Sequence, residues 1–370
     1  MTAPDASVTL FLCGDVMTGR GIDLILAYPS APDLYEPLVG DAREYVALAE
    51  AAHGPLPRRV DAHYVWGVTL AELAARKPHA RIVNLETSVT TSENAEPKGI
   101  NYRMHPANAN VLTAVGLDCA VLANNHVLDW GRDGLAETLA TLAEHGIRTA
   151  GAGDSLERAE SPVRIDVAMN RLLVFGIGGP DCGIPPSWSA SVSESGVFRI
   201  DDFSPASVDR IATLVARFRG DGDLVIASIH WGGNWGYDIP DEHRRFAHAL
   251  IDRAGVDLVH GHSSHHPRGI ELHRGRAILY GCGDFLNDYE GIPDREAFRS
   301  DLAFMYFPTL DARSGELLRL EMVPLVIRKF SLQHPSQADR EWLFAMMTRE
   351  CDRLGTSLVE HEGVLRWGRG

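Results

Sequence analysis

Cysteine is scarce in this chain: Cys13, Cys119, Cys182, Cys282 and Cys351 are the five in 370 residues. They are odd in number, far apart and never in a CxxC pair, which excludes a disulfide framework and a zinc knuckle and points to the cytosol. Long apolar runs are missing too. The opening MTAPDASVTLFLCGD has no basic region, and its VTLFLC run is far too short for a signal or membrane anchor, so no membrane association is expected. Basic residues are outnumbered, 35 Lys and Arg against 50 Asp and Glu, for a net charge of -15. That balance disfavours nucleic-acid backbones and anionic membranes as general partners. There is no repeat and no low-complexity tract. With 45% hydrophobic and 23% charged residues the composition is that of a folded globular protein, long enough for one α/β domain with insertions or two smaller ones.

What the chain does have is a series of short apolar runs, each closed by Gly, Asn or His: Val8 to Cys13, Arg81 to Leu85, Leu117 to Ala123, Leu172 to Ile177, Leu224 to Ile229, Val256 to His260 and Ala277 to Tyr280. These read as buried strands. Helical patterns lie between several of them, at Asp41 to Ala52, Gly67 to Arg76, Asp133 to His145, Ala206 to Phe218 and Asp241 to Ala254. The alternation predicts right-handed βα units in layered sheet-and-helix packing. Residues 28–64, rich in Pro and Ala, read as an inserted segment over the first loop, and a further helix is predicted around Ala338 to Leu354.

In such folds ligands lie beyond the carboxyl ends of strands, so polar residues directly after a strand carry the functional signal. The first strand ends in Gly14-Asp15-Val16-Met17-Thr18-Gly19-Arg20-Gly21, where Asp15 reads as a ligand or as a solvated turn residue. Asn84 and Glu86 share a face if their strand continues, as two oxygen ligands or as a turn cap. Asn124, Asn125 and His126, with Asp129 and Trp130 just beyond, put two amides and an imidazole on one loop. His230 ends another strand beside two glycines and the indoles of Trp231 and Trp235, which can line an aromatic pocket; a buried structural histidine is the alternative. The densest signal is His260, His262, His265 and His266, four imidazoles in seven residues, whose natural use is metal binding or proton transfer. Asp284, Asn287 and Asp288 close a further strand with three more oxygen-bearing side chains.

Taken in order, GDxMxGRG, NLE, ANNHxLDxG, HWG, the GHxxH cluster and the GDF segment resemble the CapA-type proteins, the poly-gamma-glutamate synthesis family of the calcineurin-like metallophosphatase superfamily. The resemblance covers about residues 8–330. It implies a four-layer α/β/β/α sandwich over residues 1–330, interrupted by the 28–64 insertion and followed by a helical extension at 331–370. It also implies a central site for one or two divalent metals. Residue by residue, Asp15 matches the first metal aspartate, Glu86 the bridging carboxylate, Asn125 an amide ligand and His126 the catalytic histidine, while His230, His262 and His265 match the later histidines. Met17 stands where phosphatases of the superfamily carry a nitrogen ligand, which disfavours a full two-metal centre and phosphate-ester hydrolysis.

One oxygen-rich site of Asp15, Glu86, Asn125 and His262 suits Ca²⁺, with Mn²⁺ or Zn²⁺ as alternatives. His126, His230 and His265 are then left with Asp129 and Asp284 as acid–base pairs on two faces of a substrate. CapA-like enzymes of lasso-peptide gene clusters invert the C-terminal residue of a precursor peptide, and this chain resembles them. The leading expectation is therefore a metal-dependent peptide epimerase acting on a ribosomal precursor peptide. Trp231 and Trp235 would cradle its aromatic end, and Arg20 and Arg103, or Lys98, would bind its carboxylate. The alternatives are a metallophosphoesterase, a CapA-like enzyme of poly-gamma-glutamate or capsule metabolism, and a non-catalytic peptide-binding protein.

Overall fold

The computed structural model describes residues 7–167, 170–292 and 297–368. It is a mixed α/β fold with several sheets, two of them large. Six strands matter for the site: β1 (Ser7–Val16), β2 (Ala80–Leu85), β3 (Cys119–Val121), β4 (Leu224–His230), β5 (Leu258–His262) and β6 (Asp284–Leu286).

The first large sheet has β1 near its middle. On one side β2, β3 and Arg148–Ala150 follow in parallel. On the other side Leu302–Asp311, Leu317–Arg328 and Val364–Gly368 run antiparallel to their neighbours. Beyond Leu12 the long strand Leu302–Asp311 gives way to β6, which lies parallel to β1 and pairs Asp15 with Asp284. The second sheet orders Ile270–His273, Arg276–Leu279, β5, β4, Asn170–Gly178 and Val163–Val167, parallel through its four central strands. Each apolar run read as a strand from the sequence carries one. The strands Val163–Val167, Ile270–His273, Leu302–Asp311 and Leu317–Arg328 lie outside those runs.

Side-chain alternation explains the layers. Leu10 and Leu12 of β1 and Ile82 of β2 join Val174, Ile226 and Leu258 in a core between the two sheets. Phe11, Val83 and Leu85 point the other way, against Trp66, Leu73, Leu112 and Leu135. Phe175, Val225 and Ile229 do the same on the second sheet, against Val208, Ile211, Phe246 and Leu250 of the helices Pro205–Phe218 and Asp241–Ala254. A fully buried side chain of this size contributes roughly 1.5–3 kcal/mol. Residues 331–368 are built into this scheme. Ser331–Gln333 and Val364–Gly368 both pair with Leu317–Arg328, and Leu343, Met347 and Cys351 of the helix Gln337–Asp352 enter the core between the sheets. The segment 28–64 includes the helix Arg43–His53, whose Val46 and Ala49 pack into the outer core of the first sheet. All five cysteines are buried and free. Among the described residues no helix is long and apolar enough to cross a membrane.

Candidate metal centre

The parallel strands β1, β2 and β3 of one sheet and β4 and β5 of the other end at a common place, and their last residues and following loops form it. Two close backbone approaches fix the spacing. A Cβ at Gly14 would lie 1.7 Å from the Gly283 carbonyl, so only glycine lets β1 meet the β6 segment there; Asp15 N–H donates to that same carbonyl at 2.9 Å. On β5 the chain turns sharply after His262, with Ser263 at φ 99°, a strained conformation of the kind that gathers at functional sites. That turn aims the Ser263 N–H at Asp15 Oδ2, 3.2 Å away.

Three carboxylates converge, and among the described residues no Lys or Arg forms an ion pair with any of them. Asp15, Glu86 and Asp284 are each about 1% exposed or less. Asn84 Nδ2 donates to Asp15 Oδ1 at 2.7 Å, and Asn124 Nδ2 donates to Asn84 Oδ1 at 3.1 Å, so the two amides orient Asp15. Glu86 Oε2 is buried and, among the described residues, takes no hydrogen bond from an N–H or hydroxyl donor, which leaves the Asp15 carboxyl as the neighbour with which it can share a proton. Burial, then the nearby Asp284, pushes the Asp15 carboxyl up to about 7. Burial and Asp15 hold Glu86 well above the usual carboxylate range. A buried like-charge cluster is costly unless a cation enters it.

The imidazoles supply the complementary donors. Burial holds His126 and His260 at about 4 and pushes His230 and His262 well below the ordinary range, so all four are neutral near pH 7. Their tautomers follow from one fixed end. His260 Nε2–H must donate to the Cys13 carbonyl, 2.8 Å away, so its Nδ1 accepts from the Ser228 hydroxyl at 3.0 Å. Ser228 Oγ then accepts from His262 Nε2–H at 3.0 Å, and His262 Nδ1 accepts from His230 Nδ1–H at 2.9 Å. His230 Nε2 is left with a lone pair, 2.9 Å from Asn125 Oδ1. With the amide in this orientation two lone pairs face one another at about the spacing of neighbouring ligands on a cation with bonds of about 2.1 Å. The residues therefore fit a divalent metal. Two donor groups share Asp15: with His230 and His262 on one side, and with His265 and Asp284 on the other. The expectation of a single ion thus meets two sets. His265 and Asp284, expected as acid–base residues, are also grouped with Asp15 where a metal could be held.

Two imidazole–carboxylate pairs flank the centre. His126 Nδ1–H donates to Asp129 Oδ2 at 2.6 Å, and His126 Nε2 faces Glu86 Oε1 at 3.8 Å. Asp129 is held in turn by Lys98 Nζ at 2.7 Å and the Tyr102 N–H at 2.6 Å, and the Tyr102 ring meets His126 edge-on at 4.4 Å. On the other side His265 Nδ1–H donates to Asp284 Oδ1 at 2.8 Å, and Asn287 Nδ2 donates to Asp284 Oδ2 at 2.8 Å.

The expected substrate-binding residues divide. Trp235 lies half-buried over His265 and beside Phe298, at the edge of the centre. Trp231 is different: it is buried, stacked between His243 and Tyr280, with its indole N–H donating to the Tyr280 carbonyl, so it packs the core of the second sheet. Arg20 is buried as well. It forks onto Asp288, reaches Glu36 at 2.7 Å and the Tyr45 hydroxyl at 3.0 Å, and lies 3.9 Å over the Tyr45 ring. Its donors clamp the 28–64 segment to the stretch that follows β6. Arg103 stacks 3.9 Å over Trp130 and donates to the Ser92 carbonyl, so neither it nor Trp130 presents a free face to the centre. Ser228 escaped the sequence reading although it lies two residues before His230, on the same face of β4.

The family model for bacterial capsule synthesis protein PGA_cap matches residues 9–289, which span β1 to just beyond β6 and hold every residue of this centre. The chain belongs to that family. A probable polyglutamine synthesis accessory protein of Mycobacterium tuberculosis is 45% identical to this PGA_cap member over 359 residues, covering 96% of this chain and 94% of the relative. The PGA biosynthesis protein CapA of Bacillus subtilis is 26% identical over 289 residues, 78% of this chain and 65% of its own length. The capsule biosynthesis protein CapA of Bacillus anthracis is 23% identical over 257 residues, 69% and 59% of the two chains.

Proposed function

We propose that this protein is a metal-dependent accessory enzyme of polyglutamate- or polyglutamine-type polymer synthesis, acting at an amide bond of such a chain. The observation that carries the metal is the cluster of three buried carboxylates and neutral imidazoles, in which Glu86 Oε2 takes no hydrogen bond from an N–H or hydroxyl donor among the described residues. The polymer comes from the relatives, whose names speak of polyglutamine, PGA and capsule synthesis; they favour this reading over inversion of a peptide Cα. The core between the sheets and the helix-covered core on each outer face support the four-layer calcineurin-like arrangement.

Asp15, Glu86, Asn125 and His230 would hold one ion, which His262 would join once its Nδ1 is released from His230, and Asp15, His265 and Asp284 would hold a second. A divalent ion there supplies Lewis-acid polarisation of a carbonyl oxygen. The chain's own contribution is proton handling. Asp129 fixes the His126 tautomer with the proton on Nδ1, which leaves Nε2 as a base that is neutral near pH 7. Trp235 offers the aromatic edge against which a substrate chain lies.

The test incubates protein loaded with Mn²⁺ or Zn²⁺ with γ-linked glutamate and glutamine oligomers and follows chain length by mass spectrometry, with EDTA and His126→Asn as controls. Metal-dependent change in length that the variant lacks is expected. Unchanged oligomers, with deuterium entering Cα of a peptide in D₂O instead, would return the epimerase reading.

A further inference from the structure

We infer that a cleft at the paired edges of the two sheets, apart from the metal centre, binds an extended chain bearing closely spaced carboxylates. Arg148–Ala150 is the last strand of the first sheet and Val163–Val167 the last of the second, and they meet side by side: Arg148 Nη1 donates to the Arg164 carbonyl at 2.6 Å. With the helix Gly131–Glu144 they enclose an open cleft of about 720 Å³. Its floor is apolar, from Leu139, Ile147 and Val163, and the exposed residues Arg148, Arg158 and Arg164 are part of its lining.

The charge is what singles this place out. In a chain of net charge -15, three cations line one cleft against a single lining carboxylate, Asp154. Arg158 and Arg164 enter no ion pair among the described residues, although Arg164 lies 5.4 Å over the Phe218 ring, and Arg148 reaches the Asp118 carboxylate at 3.7 Å while donating to the Asp118 and Arg164 carbonyls. Most arginines elsewhere in the chain that reach a carboxylate do so at closer range, as Arg20, Arg76 and Arg299 show. Planar guanidinium forks suit carboxylates, and an apolar floor suits the methylene carbons between them. The helix that forms one wall begins at Gly131, five residues after His126, so the cleft runs along an element that starts at the centre. Charged residues also serve to keep sheet edges from pairing with other chains, and that is the competing account of the same arginines.

This inference rests on the polymer reading, so its test separates the two. A fluorescein-labelled γ-glutamate decamer is titrated with the full chain and followed by anisotropy, with its glutamine counterpart as the uncharged control. Arg158→Glu/Arg164→Glu is expected to weaken binding at least about tenfold, Arg158→Lys/Arg164→Lys to retain most of it, and added salt to weaken it. Asp15→Asn is expected to bind like the parent while losing any processing of the oligomer, so a failed metal-centre reading leaves this result standing. Equal binding by the charge-reversed variant, equal binding of the glutamine decamer, or no binding by the parent chain would each overturn the inference. Unchanged affinity with new self-association of the charge-reversed variant would assign the arginines to edge protection.

Discussion

Asp15 and Asp284 are register partners on adjacent parallel strands, both buried. Like charges in that position repel, and burial together with Asp284 pushes Asp15 up to about 7. A metal must displace that proton, so affinity is tied to pH. Calorimetric titration with Mn²⁺ is expected to show affinity rising from about pH 5.5 to about pH 7.5, with proton release that fades above about pH 7. Affinity independent of pH over that range would remove Asp15 from the ligand set.

The same shift governs the stability of the metal-free protein. Asp15 ionises at about 7 folded, against 3.8 for its ordinary value, so its contribution is fully present below pH 3.8 and lost as pH rises through about 7. His126 runs the other way: lowered from 6.5 to about 4, its contribution is present above pH 6.5 and lost as pH falls through about 4. Asp15→Asn removes only the first. In thermal melts without metal, the melting temperature of the variant relative to the parent should climb as pH rises through about 7. A constant difference would mean that Asp15 titrates normally.

Glu86→Gln separates stability from binding. The change neutralises a buried carboxylate whose Oε2 takes no hydrogen bond from an N–H or hydroxyl donor among the described residues, so the metal-free variant should melt above the parent at neutral pH. Its gain in melting temperature on adding Mn²⁺ or Zn²⁺ should shrink, corresponding to at least about tenfold weaker affinity. A variant that melts lower without metal and responds fully to metal would make Glu86 a structural residue.

The site was legible because its residues follow a local rule. Asp15, Glu86, Asn125, His230 and His262 each sit at or just past the end of an apolar run, and parallel βα topology carries such positions to one place. What was not legible depends on distant partners. Arg20 and Arg103 have the chemistry of anion binders, and only the fold shows that Arg20 spends its fork on Asp288, 268 residues away, and Arg103 its face on Trp130. Trp231 and Trp235 flank the same glycines, yet the strand direction buries one in the core and leaves the other at the edge. The strands Leu302–Asp311 and Leu317–Arg328 contain Pro308 and Pro324, residues that argue against interior strands, and both are paired there.

Lys98 approaches Asp129 at 2.7 Å while a quarter of its side chain stays exposed. Replacing it by Met leaves Asp129 buried with His126 and the Tyr102 N–H alone, which should lower stability by about 1–3 kcal/mol. The His126 tautomer is set by Asp129, so ¹⁵N spectra of the Lys98→Met protein should still show the proton on Nδ1, whereas Asp129→Ala should shift it toward Nε2. An unchanged tautomer in the aspartate variant would deny Asp129 its orienting role.

Arg20 offers the sharpest contrast between a substrate anchor and a structural clamp. Its guanidinium holds Asp288 with two nitrogens, Glu36 and Tyr45 with a third, and packs over two tyrosine rings, in a left-handed backbone conformation at φ 48°. Lysine keeps the charge but cannot form the fork or the stack. Since Glu36 and Tyr45 belong to the 28–64 segment and Asp288 follows β6, Arg20→Lys should loosen that segment from the strand end that carries Asp284. The expected result is faster amide hydrogen exchange across residues 43–53 and a melting temperature lower by several degrees, with metal affinity changed less than in Glu86→Gln. If exchange and melting stay at parent values while affinity for an acidic oligomer falls, Arg20 is a substrate anchor after all, and the buried fork opens when the chain binds.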